Sequence, residues 1–313
     1  MTTIKKIFNV NIVRIATVVF FVLFVASLTK AQDAAKPEET KPVTGVFNSG
    51  VFLENQTTVM LPKKTFEFVI NHRFGKLSDK IDALYGIYSP SNIRIGINYG
   101  VCDKFQIGLG TTKSNNQQDL NYKVSIFEQS TNNKKPVSVV FFGATYLDAR
   151  PTATAFDYSN YKYTHRFSFF NELMISRKFC EKFSLQAAAT YSHLNIVDQE
   201  LVPWGNTTIA ERIRRNDQFG LSVLAKLNIT ATIALVGEYD QNFSKLYKQP
   251  TDAYPEAKPN FSIGLENATA AHSFQIFIST AESITYQRNM VYNQNSFNSK
   301  GLMLGFNITR VFY

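Results

Sequence analysis

From residue 65 onward, apolar and polar side chains alternate along the chain with a period of two. Phe66, Phe68, Ile70 and Phe74 alternate with Glu67, Asn71 and Arg73. Ile93, Ile95, Ile97 and Tyr99 alternate with Arg94, Gly96 and Asn98. Leu120, Tyr122, Val124 and Ile126 alternate with Asn121, Lys123 and Ser125. Successive side chains of a strand point to opposite faces, so each segment has one oily face and one polar face. Twelve segments qualify: 65–74, 92–99, 105–112, 119–129, 137–147, 164–178, 183–192, 217–227, 231–240, 260–267, 272–280 and 300–312. Their typical length matches the roughly 9–11 residues of a tilted membrane strand. The pattern is least regular in 137–147, where Val139, Val140, Phe141 and Phe142 run together, and in 164–178, where Phe169 and Phe170 do.

The connections alternate as well. They are short after segments two, four, six, eight and ten, and long after most odd-numbered ones, with 113–118 the brief exception. Short turns on one rim and long loops on the other are the layout of outer-membrane barrels. An even strand count puts both chain ends on the short-turn, periplasmic side. The expected fold is therefore all-β: a single closed antiparallel transmembrane β-barrel of about twelve strands in the outer membrane. Closure removes sheet edges that lipid could not satisfy, and the polar faces line a wet lumen. The rival is a soluble β-sandwich, which also shows alternating strands but accounts for neither the loop asymmetry nor the chain end. In that end, GLMLGFNITRVFY, Leu302, Leu304, Phe306, Ile308 and Phe312 share one phase. Such an ending resembles the signal by which barrels are recognised for insertion. The expected partners are thus outer-membrane lipid and the barrel-assembly machinery, the latter through Phe312 and Tyr313. Arg310 falls in the outward phase, near enough to the rim to lift its head to the interface.

The N-terminus changes the picture by adding an address. Lys5, Lys6 and Arg14 form a basic region, Ile15 to Leu28 is uncharged, and Thr29-Lys30-Ala31 offers a small residue for cleavage. That three-part layout is a signal peptide, and its apolar part falls short of the ~20 residues of a membrane-spanning helix. Residues 1–31 are read as the signal and the Pro-, Lys- and Glu-rich 32–45 as a flexible periplasmic tether, leaving 46–313 as the barrel domain. Residues 46–62 lie outside the twelve segments; a periplasmic stretch, a further strand and a lumen plug all remain open. The formal charge of +9 is scattered without a basic stripe or nucleic-acid motif, so no nucleic-acid partner is expected.

Two stretches resemble a known family. LPKKTFEFVINHRFG (61–75) and SNIRIGINYGVCDKFQIGLG (91–110) carry Leu61-Pro62-Lys63, His72-Arg73-Phe74-Gly75, Asn92-Ile93-Arg94 and Asp103. These are similar to motifs of an uncharacterised family of Bacteroidota outer-membrane β-barrels. That family usually has Gly in the turn after Lys63, where this chain has Lys64. The resemblance runs from about residue 46 to the end. It implies fold and location and says little about activity.

Candidate chemistry lies in the inward phase, which carries Glu67, Arg73, Arg94, Lys123, Arg166, Glu172, Lys226, Glu238 and Glu266. Charges at membrane depth face water or each other. They form either a constriction that selects solutes or a network of ion pairs that fills the lumen. Five bases against four acids is close to balance and predicts weak ion selectivity. The four histidines show no metal-ligand spacing and no nucleophile motif occurs, so neither a cofactor nor a catalytic site is expected. Cys102 and Cys180 sit in turns four strands apart, on the order of 19 Å along the wall, too far for the ~7 Å of a disulfide. In the loops, Trp204, Arg212, Arg214 and Arg215, and then Lys245, Lys248 and Lys258 with Tyr247 and Tyr254, are candidates for contact with lipid phosphates, although an ordinary solvated loop is the favoured reading. Passive passage or transport of a small solute is the leading functional reading. A structural or assembly barrel with a side-chain-filled lumen is the alternative, and a barrel enzyme a distant third. Oligomeric state is not readable.

Overall fold

The computed structural model describes residues 41–156, 161–204, 207–247, 255–297 and 301–313. The proposed signal and most of the tether lie outside the described residues. Twelve strands close into one antiparallel barrel. They are β1 (Phe66–Lys76), β2 (Asn92–Cys102), β3 (Phe105–Thr112), β4 (Gln117–Phe127), β5 (Ser138–Asp148), β6 (Phe167–Cys180), β7 (Phe183–Leu194), β10 (Asp217–Asn228), β11 (Ile233–Asn242), β12 (Asn260–Ala268), β13 (His272–Ser279) and β14 (Met303–Phe312). A separate hairpin, β8 (Gln199–Trp204) with β9 (Thr207–Arg212), is built into the β7–β10 loop. Each wall strand pairs with its chain neighbour. β1 and β14 close the ring with Phe66 opposite Phe312, Ile70 opposite Ile308 and Arg73 opposite Gly305.

The polarity of the barrel is inverted relative to a soluble protein. Ile97, Leu109, Leu120, Phe219 and Ile276 are each more than half exposed on the outer face. Glu67, Arg73, Lys123, Glu172, Lys226 and Glu266 are all at most 2 % exposed inside. A sandwich would bury the first set and solvate the second. An apolar exterior around a polar interior is the solution for a wall in lipid. Aromatic pairs mark the short-turn rim, Phe66 with Tyr99 and Phe179 with Phe183. Arg310 is exposed, its guanidinium 4.7 Å over the Phe312 ring. Cys102 and Cys180 are free, exposed thiols.

The irregular segments have a physical reason. In β5 and β6, Val140, Phe142, Ala144, Phe170 and Met174 face inward and pack with Ala188, Met60 and Tyr286. The strands are apolar on both faces because one faces lipid and the other faces protein. Met60 and Tyr286 belong to two stretches that enter the barrel from opposite ends.

Candidate functional site

Residues 46–62 are a lumen plug, which decides among the three alternatives. The stretch enters and leaves at the short-turn rim. Before it, Pro42 bridges Ser130 and the Val43 amide donates to Gln129 O, so the last residues of the expected tether are docked on the β4–β5 connection. After it, Thr65 N donates to Pro62 O, closing a tight turn at Pro62–Thr65. Between these ends the chain doubles back on itself: Val51 bridges Gln56, Phe52 N donates to Asn55 O, and Thr57 N to Gly50 O. Leu53, Glu54 and Asn55 form the tip.

The exit turn is where the family motifs meet. The Lys63 amide donates to Asp103 Oδ1 at 3.0 Å, and Lys64 N to Gly100 O at 2.7 Å. Gly100 is required by this approach, since a Cβ there would lie 2.1 Å from Pro62 O. Lys64 has φ +64°, the third position of a turn that asks for glycine or asparagine. That is the position at which the resembled family carries Gly.

Wall side chains grip the plug. Arg73 forms a bidentate pair with Glu54, Nε to Oε1 and Nη2 to Oε2, both 2.8 Å, and also donates to Leu53 O at 2.9 Å. Its guanidinium lies 4.6 Å over Phe277. Glu238 accepts from Glu54 N and from Asn55 Nδ2, which also reaches Asp240 at 2.6 Å. Lys123 donates to Gly50 O and Thr57 O, at 2.8 and 3.1 Å. Lys226 donates to Gly45 O and Asn48 Oδ1. Glu266 accepts from Asn48, Ser273 and Gln275. Asn307 donates to Phe52 O and Leu53 O. The plug backbone thus finds its partners in the wall rather than in a sheet of its own, which buried peptide groups require. Its apolar side chains Val46, Phe47, Phe52 and Leu53 pack on Leu224, Ala234, Val236 and Phe277.

The other predicted residues behave differently. Glu67 accepts from Asn98 at 2.8 Å. Arg94 is paired bidentately with Asp119, at 2.8 and 2.7 Å; Gly110 makes room, as a Cβ there would sit 2.4 Å from the guanidinium. Arg166 does not line the lumen. It precedes β6 at the long-loop rim, donates to Tyr161 Oη, Asp148 O, Arg150 O and Thr152 Oγ1, and lies over Phe156. The inward phase does not extend past the strand end, and a loop captures its guanidinium. Glu172 is fully buried, with neither oxygen bonded among the described residues.

The charge count changes accordingly. Between the rims, five cations (Arg73, Arg94, Lys123, Lys178, Lys226) meet seven acids: Glu54, Glu67, Asp119, Glu172, Glu238, Asp240 and Glu266. Acids outnumber bases by two, so the interior leans acidic. Asp119 and Asp240 stand in the inward phase and could have been found there. Glu54 comes from the plug, which shows no alternation.

At the long-loop end, the helix Tyr286–Tyr292 also turns inward. Gln287, Met290 and Val291 are buried, and Tyr286 packs on Phe142 and Phe170. Gln56 of the plug donates to Tyr286 Oη, so the two stretches meet. Arg214 is buried and holds this helix: it donates to Val291 O and Pro255 O, pairs with Asp198 and lies over Tyr292. Burial takes Arg214 away from both lipid and solvent. Burial pushes the Tyr292 phenol up to about 12. Arg212 and Arg215 are exposed, whereas Lys248 and Tyr254 lie outside the described residues.

The nearest thing to catalytic geometry is at that rim. His193 Nδ1 lies 2.8 Å from Asp217, but its Nε2 faces Asn195 Oδ1 rather than a nucleophile. Among the described residues no group of three His, Cys, Asp or Glu could hold a metal ion.

A closed twelve-strand antiparallel wall, oily outside and charged within, defines an integral membrane β-barrel. The family model described as membrane bound beta barrel domain (DUF5777) matches residues 47–312, and the chain belongs to that family. Comparison with curated proteins finds no match. Among solved structures, an outer membrane channel from Pseudomonas putida F1 is similar at 10% identity and TM-score 0.46, covering 81% of this chain and 97% of that one. The KdgM porin is similar at 6% and 0.42, with 80% and 99% covered. A FadL homologue from Pseudomonas aeruginosa is similar at 10% and 0.34, with 80% and 90% covered. At these values nothing about this chain rests on the likeness.

Proposed function

We propose that this protein is a gated outer-membrane passage for small solutes, with residues 46–62 as the gate. One observation carries the reading: the wall grips the plug chiefly through charged and amide side chains on plug carbonyls and on Glu54. Such contacts exchange for water when the segment leaves, so the lumen behind it stays wettable. The turn at Pro62–Thr65, anchored on Asp103 and Gly100, is the hinge. The acidic interior favours cationic or neutral solutes over anions.

In this reading residues 1–31 are removed as an export signal and 32–45 tether the plug. Both termini lie in the periplasm, in line with the even strand count, the motif resemblance points to a Bacteroidota envelope, and the C-terminal Phe312 and Tyr313 address the barrel-assembly machinery. The second reading is a sealed structural barrel, favoured by the apolar anchoring of Phe52 and Leu53, each 1 % exposed.

Planar-bilayer conductance separates the two. The full barrel without residues 1–31 is expected to be mostly closed with brief openings. A variant also lacking 46–60 is expected to conduct steadily with preference for cations. A correctly folded deletion variant that carries no current would overturn the passage reading.

A further inference from the structure

We propose that Glu172, Thr190, Ser192 and Gln287 form an internal site for a hard cation held by oxygen ligands. It lies on the β6–β7 wall, between the plug and the Tyr286–Tyr292 helix.

The argument starts from atoms without partners. Both carboxylate oxygens of Glu172, the hydroxyls of Thr190 and Ser192 and the Oε1 of Gln287 are buried and make no hydrogen bond among the described residues. Glu172, Ser192 and Gln287 are 0 % exposed and Thr190 is 3 % exposed. Buried polar groups are nearly always paired, and a buried carboxylate without a donor is the costliest to leave bare.

The register brings Glu172, Thr190 and Ser192 together, and Gln287 approaches from the helix. Glu172 on β6 is directly opposite Thr190 on β7, which places their Cβ atoms about 4.5–5.5 Å apart. Ser192 is the next inward residue on β7 and faces Phe170. Gln287 reaches down from the helix, its Nε2 donating to Ser168 Oγ at 3.2 Å and its Oε1 left over. Ser168 is four residues along β6 from Glu172, with the inward Phe170 between them, so Gln287 stands at the helix end of the set. The neighbouring strand adds no side chain here, since Gly220 stands opposite Thr190, and Thr190 and Met290 occupy the place that one would take. A Cβ at Gly220 would come within 2.8 Å of Thr190 Oγ1 and 2.7 Å of Met290 Sδ.

The chemistry of the set is one-sided. All five atoms are oxygens, and only the two hydroxyls can also donate. A single carboxylate with neutral oxygens around it suits a hard cation such as Na⁺, K⁺ or Ca²⁺. No protein cation takes the place. Lys123, the nearest of them, turns its ammonium to the plug carbonyls and makes no hydrogen bond to Glu172. Arg73 and Arg94 are committed to Glu54 and Asp119. The excess of acids between the rims points the same way. The site does not depend on the gate, because its ligands belong to the wall and the helix.

The test is the melting temperature of the refolded barrel lacking residues 1–31, in detergent, followed by circular dichroism. Sodium, potassium and calcium chloride are each compared with choline chloride at equal ionic strength. At least one of the three is expected to raise the melting temperature saturably above choline, and Glu172→Gln to abolish that rise. Equal melting in all four salts, or a rise that survives Glu172→Gln, overturns the site. If that variant does not fold, the Thr190→Val/Ser192→Ala double variant replaces it. It is expected to move the half-saturating cation concentration upward severalfold, and an unchanged concentration overturns the site. A barrel that fails to conduct would not touch this result, nor would its failure touch the gate.

Discussion

The lumen is closed twice, and the two closures are built from different forces. The plug at the short-turn side is gripped by Arg73, Lys123, Glu238 and Asn307, which bind its backbone and the Glu54 carboxylate. The Tyr286–Tyr292 helix at the long-loop side has fewer charged contacts, Arg214 on Val291 O being the main one, and rests largely on rings and aliphatic groups: Tyr286 on Phe142 and Phe170, and Val291 against Leu194 and Val197. A polar grip is specific in position and replaceable by water. An apolar seal is tolerant in position and loses its area when it moves, at about 25 cal/mol per Å². The plug is therefore the part suited to leaving, and the helix the part suited to staying.

The comparison breaks most visibly at Glu54. Glu54→Ala strands the Arg73 guanidinium in the lumen, both side chains being 1 % exposed in the pair. Removing one partner of a buried ion pair costs about 3–5 kcal/mol. The loss is expected to fall on plug seating, read as faster amide exchange in 46–62 and longer open times, with β-strand exchange unchanged. Exchange in 46–62 that matches the unaltered protein would mean that the apolar anchor alone holds the plug.

Met290→Ala tests the other closure. Met290 is 4 % exposed on the inward side of the helix, and truncating a buried Met costs about 2–5 kcal/mol. Amides of 286–292 are expected to exchange faster while those at Leu53 and Glu54 keep their protection. Parallel loosening of both stretches would show one cooperative closure rather than two, and would count against a plug that moves by itself.

The wall was legible because its chemistry repeats. Twelve period-two segments, the loop asymmetry and the outward phase of Phe66, Ile97 or Leu120 all follow from one requirement, lipid outside and water or protein inside. Where the pattern blurs, as at Val139–Phe142, the blur marks a stretch whose inner face meets protein. The closures were illegible for the opposite reason. Residues 46–62 satisfy their backbone with side chains far along the chain, such as Asn307 and Gln275, and leave no period behind. The β8–β9 hairpin was missed in the same way, inside a loop. Arg166 was misplaced because a phase count cannot see a loop folding back to capture a guanidinium, and the inward turn of Arg214, rightly read as a loop residue, left no mark in the sequence. The near balance of lumen charges failed once Glu54, Asp119 and Asp240 joined the count.

The smallest effect belongs to the hinge. Lys64 holds φ +64° in the turn that carries the plug out of the barrel. A non-glycine residue in the left-handed region costs roughly 1–2 kcal/mol, and glycine gives back about 0.5–1 through the freedom it gains when unfolded. Lys64→Gly is therefore expected to raise stability by up to about 1 kcal/mol, read as a higher urea midpoint at unchanged slope. It changes neither grip nor seal, since the turn is fixed by the main chain of Lys63 and Lys64 on Asp103 and Gly100. Plug exchange relative to global unfolding should stay as it is. If instead the substitution sped plug exchange while raising global stability, the strain at Lys64 would belong to the gate, holding the plug in place at the expense of the fold.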